Sequence, residues 1–134
     1  MSKIFNWPVR VYYEDTDAGG VVFYANYLKF YERARTEMLR DMGFEQDQLM
    51  AQEGVIFVVR SVQIDYLKPA KFNNMLEVSA QLSLVKSASL TFEQTIMCEH
   101  ELLSKATIRI ACLDSNTMRP KLIPDLLKQA LSHD

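Results

Sequence analysis

Two histidines, two cysteines and no long apolar run limit the chemistry open to this chain. His100 falls in an expected turn, Glu99-His100-Glu101, and His133 in the tail, so neither is placed to act as a catalytic base. There is no H-E-x-x-H, no G-x-S-x-G and no Cys–His pairing, which argues against a zinc protease, a nucleophile elbow or a thiol nucleophile. Cys98 and Cys112 are too far apart for a C-x-x-C motif and have no Cys/His cluster around them. They read as two reduced thiols. No run approaches the length of a membrane span, and Met1 to Arg10 holds no apolar core of a signal peptide. The expectation is a cytoplasmic protein with no stable membrane insertion. Fifteen basic and seventeen acidic residues leave a net charge of −2, which gives no general attraction to nucleic acid. Repeats, linkers and low-complexity segments are also missing, so residues 1–134 are expected to form one domain.

What is present is a clear change of period along the chain. Trp7 to Glu14 alternates as a strand, with Val9, Val11 and Tyr13 on one face. From Asn26 the spacing becomes helical. Tyr27, Phe30, Tyr31, Ala34, Met38 and Met42 recur at three and four residues, Leu28 and Leu39 widen the stripe, and Arg35 falls on the charged face. Asn26 suits an N-cap and Gly43 a C′ position. Glu45 to Glu53 reads as a polar connector or short second helix. Val55 to Val59 is a continuous β-branched run, the pattern of a strand buried on both faces. Alternation then continues to Leu67, resumes from Leu76 to Leu84 and again through Leu90, Phe92 and Ile96, and closes with Ala106, Ile108, Ile110 and Cys112. Short connections predict an antiparallel meander, and Asp125 to Ser132 a terminal helix. The fold class is α+β, with one long helix covering one face of a curved antiparallel sheet.

The stretch on which chemistry centres is Tyr13-Glu14-Asp15-Thr16-Asp17-Ala18-Gly19-Gly20, which leads into the helix through Phe23, Tyr24 and Ala25. It opens like a calcium loop, but the fifth position is Gly19 and the twelfth is Asn26 instead of a bidentate acid, and that reading fails. An aspartyl-phosphate enzyme would need a parallel sheet, which the strand order does not supply. Asp17 lies just before a glycine turn and a helix start, beside backbone N–H groups without an intrahelical partner. A carboxylate next to free N–H donors suits attack on an already activated acyl group such as a thioester. Asp15 is expected to hold the turn, or to pair with Arg33 or Arg35.

Val9 to Tyr27, followed by Tyr31-Glu32-Arg33-Ala34-Arg35-Thr36-Glu37, closely resembles the YbgC-type acyl-CoA thioesterases of the 4-hydroxybenzoyl-CoA thioesterase-like branch of the hotdog fold. The resemblance continues through Tyr66-Leu67-Lys68-Pro69-Ala70, Ser89-Leu90-Thr91-Phe92 and Met118-Arg119-Pro120. It implies an antiparallel sheet wrapped around one long central helix, a side-by-side homodimer that often assembles into a tetramer, and association with the Tol-Pal system. It implies that Asp17 is the catalytic carboxylate, as nucleophile or general base, with Tyr24 and Tyr13 in the catalytic set. The N–H groups around Phe23 and Tyr24 would hold the oxyanion. Phe23, Val58, Ser89 and Lys68 would contact substrate. No metal is implied, and coenzyme A enters only as part of the substrate. Members of this family usually carry histidine where Tyr24 stands, whereas the hydroxybenzoyl branch has an aromatic there, so any imidazole role is absent. Two rivals follow from the same frame. One is a hotdog dehydratase, which usually needs a histidine base; the other is a non-catalytic module that binds acyl-CoA or acyl carrier protein.

Overall fold

The computed structural model describes residues 3–133, and nothing is stated for Met1, Ser2, Asp134 or the side chain of His133. Strand β1 (Phe5–Arg10) leads through a single 3-10 turn (Tyr13–Asp15) and a loop into helix α1 (Asn26–Asp41). Helix α2 (Gln46–Glu53) follows, then strands β2 (Val55–Tyr66), β3 (Met75–Val85), β4 (Ser89–Cys98) and β5 (Glu101–Asp114), and finally helix α3 (Asp125–His133). The strands form one five-stranded antiparallel sheet in the order β1-β3-β4-β5-β2. Helix α1 lies against it, burying Tyr27, Phe30, Tyr31, Ala34, Met38 and Leu39. The alternating side chains of β3, β4 and β5 that the sequence marks as inner, among them Leu76, Val78, Phe92, Ile96, Ile108 and Cys112, are buried. This is the hotdog arrangement anticipated from the sequence. Gly43, at φ +94°, follows the C-cap Met42 and ends α1 in a conformation that a β-carbon would strain.

Several local expectations fail, each for a physical reason. The first strand ends at Arg10 rather than Glu14. Val11 still exchanges bonds with the turn at Asn73 and Asn74, but the Asp15 carboxylate then captures the Tyr12 N–H and closes the chain into the 3-10 turn. Tyr13 is thereby turned outward. Asn26 is the first helical residue and not the cap; the cap is Ala25, and the Asn26 amide instead donates to the Asp15 carbonyl at 3.1 Å. Leu28 is exposed, whereas Arg35, expected on the charged face, is buried.

Only β3, β4 and β5 form a meander. After α2 the chain enters β2 at the far edge of the sheet beside β5, then crosses back to β3. The apolar run of β2 is therefore an edge and not a doubly buried strand. Val59 is 50% exposed and Val62 39%. In β3, a bulge between Leu82 and Leu84 breaks the alternation and leaves Leu84 facing solvent.

Candidate active site

The segment between β1 and α1 is built around Asp15. Its side chain is 7% exposed, and its carboxylate accepts the Tyr12 N–H at 2.9 Å. Its carbonyl accepts both the Phe23 N–H at 2.9 Å and the Asn26 amide. One buried residue thus ties the end of β1 to the start of α1 across the intervening loop. Arg33 lines a small cavity beside Asp15, and neither Arg33 nor Arg35 is ion-paired with it among the described residues.

Between these anchors the chain folds back on itself. Thr16 bridges Val22, the Asp17 N–H donates to the Val21 carbonyl at 2.9 Å, and the Gly20 N–H returns to the Asp17 carbonyl at 3.1 Å. Gly20 at φ +80° makes that reversal possible. The hairpin is fastened to the β2–β3 crossover by Val22 N–H to the Ala70 carbonyl and Phe72 N–H to the Gly20 carbonyl. Asp17 stands exposed at its tip. One carboxylate oxygen accepts the Gly19 N–H at 2.8 Å, and no other side-chain or backbone donor reaches the carboxylate among the described residues.

The entry into α1 is tight, with Asn26, Tyr27 and Leu28 donating three residues back to Phe23, Tyr24 and Ala25. The Phe23 N–H, expected to help hold an oxyanion, is not free for it because the Asp15 carbonyl takes it, whereas the N–H groups of Tyr24 and Ala25 have no hydrogen-bond partner among the described residues. They sit where the aligned peptide dipoles of α1 concentrate partial positive charge. The Tyr24 carbonyl accepts the Tyr66 hydroxyl at 3.2 Å, and the rings of Tyr24 and Tyr27 both meet Tyr66 edge to face. Burial pushes the Tyr66 phenol above its ordinary value, with Tyr27 and Tyr24 adding to the effect.

The residues singled out from the sequence separate into three groups. Phe23 and Tyr24 adjoin one another, and Tyr24 shares a cleft of about 270 Å³ with Tyr66 and Lys68; Lys68 is ion-paired with Glu101. Tyr13 stacks on Phe72 at 3.9 Å on the other side of the hairpin, 76% exposed. Val58 and Ser89 both pair with Ala111 of β5, on one rung of the sheet. By strand alternation that rung faces away from Phe57, Leu90 and Ile110, which line a cavity beneath α1. Among the described residues no three His, Cys, Asp or Glu side chains cluster as a metal site would require.

Sequence reasoning passed over Tyr66 and Arg35. The alternation that placed Tyr66 on the inner face with Val62 and Ile64 could have flagged it as the strand's last side chain, beside the helix start. Arg35 carried no such signal, because its partner Gln94 lies 59 residues away.

Residues 11–131 match the model of the thioesterase-like superfamily. The chain is similar to the acyl-CoA thioesterase YbgC of Haemophilus influenzae, 49% identical over 129 residues, covering 96% of this chain and 95% of that protein. It is 50% identical over 124 residues to the acyl-CoA thioester hydrolase YbgC of Escherichia coli O157:H7, covering 92% of each. Among solved structures, the probable thioesterase from Bartonella henselae superposes with a TM-score of 0.87 at 36% identity, covering 91% of this chain and all of that one.

Proposed function

The chain belongs to the YbgC acyl-CoA thioesterases of the thioesterase-like superfamily, and from that premise we propose that it hydrolyses acyl-CoA to the free acid and coenzyme A at Asp17. The observation that carries the reading is the juxtaposition along one short segment: an exposed carboxylate on a pinned hairpin, followed by two unpartnered N–H groups at the start of α1. The thioester oxygen accepts the Tyr24 and Ala25 N–H groups, whose alignment with the helix dipole stabilises the charge that develops there. The free oxygen of Asp17 then serves in one of two ways. As nucleophile it bonds to the carbonyl carbon, the C–S bond breaks with its electron pair on sulfur, and water hydrolyses the resulting anhydride. As general base it takes a proton from the water that attacks. In either route the thiol leaves as thiolate, and since a free thiol titrates near ~8.5, departure needs no acid. The lack of a histidine in this segment is consistent with that economy.

Tyr24, Tyr66 and Lys68 form the wall beside the oxyanion position in this reading, Phe23 adjoins it, and Tyr13 stands on the opposite flank of the hairpin. Val58 and Ser89 lie on the sheet, so their contact with substrate requires surfaces that one protomer does not bring to Asp17. The exposed edge of β2 supplies a reason. A long apolar edge strand invites pairing with another chain, and a two-fold pairing of β2 with β2 would extend the sheet and cover Val59, Val62 and Tyr66. The working unit is accordingly a homodimer or a higher assembly built from it.

The test is thiol release from a panel of aliphatic and aromatic acyl-CoAs and acyl carrier protein thioesters. Hydrolysis of at least one acyl-CoA is expected. Tight binding with no thiol released from any of them would identify a non-catalytic acyl-binding module instead. In a single turnover in ¹⁸O-labelled water, an unlabelled product acid with label left on Asp17 identifies the nucleophilic route with water attacking the aspartyl carbonyl of the anhydride, whereas label in the acid fits the general-base route or attack at the acyl carbonyl.

A further inference from the structure

Beneath α1 lies a cavity of about 490 Å³, within the range of small-molecule sites, that the site around Asp17 does not use. Its sheet side is apolar, with Phe57 and Val59 from β2, Leu90 and Phe92 from β4 and Ile110 from β5; on its other side Leu39 is joined by the polar residues Glu32 and Thr36 of α1 and Gln46 of α2. Arg35 also lines it and is only 7% exposed. Its guanidinium makes one hydrogen bond, 3.0 Å to the Gln94 side-chain oxygen, and no carboxylate is ion-paired with it among the described residues. Gln94 is itself fixed, because its NH₂ group donates to the carbonyls of Tyr31 and Ser79. The amide oxygen is therefore the only end it can offer, and Arg35 is held by a neutral acceptor alone. Burial lowers the Arg35 guanidinium to about 10, and the Glu32 charge offsets only part of that. A guanidinium has five N–H donors. Since no buried side-chain nitrogen among the described residues lacks both partner and solvent, the donors left over at Arg35 open into the cavity.

A single stripe of α1 leads from the proposed oxyanion position to the residues that line the cavity. Ala25, Leu28, Glu32, Arg35 and Leu39 recur at three and four residues. Leu28, exposed against the apolar stripe it was expected to join, lies on the path between the helix start and the cavity. At 1.5 Å per residue, Arg35 lies roughly 15 Å along the axis from Ala25.

We infer that this cavity receives the acyl group and that Arg35 selects acyl groups bearing an oxygen acceptor, a hydroxyl or a carboxylate, at their buried end. The inference rests on the thioesterase reading above. A charged donor held beside an apolar wall gains little from a methyl terminus, which leaves its desolvation uncompensated, and much from an oxygen.

The experiment compares kcat/KM for acyl-CoAs of matched length with plain, ω-hydroxy and ω-carboxy ends, using wild type and Arg35→Met. Wild type should favour one or both oxygenated ends by roughly ten- to hundredfold, the scale of a hydrogen bond to a charged group. Arg35→Met should bring the ratio to within about threefold of unity. Which oxygenated arm wins tells whether the natural end is neutral or anionic. No preference in wild type overturns the inference. So does a preference that survives in Arg35→Met, or a variant that changes only melting temperature or association state, because Arg35 would then be a strut. If Arg35→Met does not fold, the wild-type ratios across chain lengths decide: a preference that peaks at one length supports the inference and a flat dependence overturns it. Failure to hydrolyse any acyl-CoA is a separate result that would remove the thioesterase reading and this inference with it.

Discussion

Replacing Asp15 with alanine tests whether the loop that carries Asp17 is held by its neighbour. Asp15 is buried, and its carboxylate satisfies the Tyr12 N–H at 2.9 Å. Alanine leaves that donor without its charged acceptor, a loss of about 1–3 kcal/mol. Relief of burying a carboxylate returns part of this, so the net loss should be roughly 1–2 kcal/mol. The two backbone-carbonyl contacts, to the Phe23 N–H and the Asn26 amide, survive the substitution and limit the damage. An unfolding entropy of about 2.1 cal/mol/K per residue over 134 residues gives roughly 0.28 kcal/mol/K. Asp15→Ala should therefore lower Tm by roughly 4–7 °C. Asp17→Asn is the control. It is exposed and keeps an oxygen for the Gly19 N–H, so Tm should move by less than about 2 °C, as for ordinary surface changes. Differential scanning calorimetry on both variants measures the contrast. Equal melting of Asp15→Ala and wild type, or a larger loss in Asp17→Asn, would refute the assignment of Asp15 as the strut.

Three further outcomes can be checked. Tyr24→Phe should retain most of wild-type turnover in a thiol-release assay, because the proposed oxyanion donor is its backbone N–H, which the substitution leaves in place; a collapse in kcat with the fold intact would implicate the hydroxyl. Val62→Lys on the exposed edge of β2 should shift sedimentation toward monomer and reduce activity with it, whereas an unchanged assembly would place the protomer interface elsewhere. Stability should fall as pH rises above about 9, because burial raises the phenols of Tyr27, Tyr31 and Tyr66 above 10.0 and carries Cys112 from 9.0 to about 11. The unfolded chain releases these protons first, so the folded state holds more of them and the slope of unfolding free energy with pH is negative. Urea melts at about pH 8 and 10.5 should show the loss, and Tyr31→Phe should lessen it.

Where side-chain period alone determines structure, the sequence was a good guide. The stripe of Tyr27, Phe30, Tyr31, Ala34 and Met38 marked α1, and the alternation from Leu76 to Leu82 marked β3, because in each the buried face is set by neighbours in the same element. The β2 run was misjudged for a reason that period cannot resolve. Val55 to Val59 looks the same whether its apolar side chains are covered by their own chain or left at an edge for another. Arg35 is buried, against the period of α1, through a bond to Gln94 that lies 59 residues away, a contact no helical spacing can show. Around Asp17, the glycine turn and the helix start were legible from the residues themselves. The strut role of Asp15 was legible only as a possibility to weigh against pairing with Arg33 or Arg35, and its buried bonds to Tyr12, Phe23 and Asn26 emerged from the folded loop.

The most direct measurement is turnover of an acyl-CoA by Asp17→Asn beside wild type, followed by release of free thiol, with Tm recorded on the same preparations. The substitution conserves shape, keeps the Gly19 contact and removes only the charge. If the Asp17 carboxylate attacks the thioester or activates water, kcat should fall by roughly 10²–10⁴, the scale of losing such assistance, while Tm holds. Turnover within about threefold of wild type would show that thioester cleavage does not pass through Asp17.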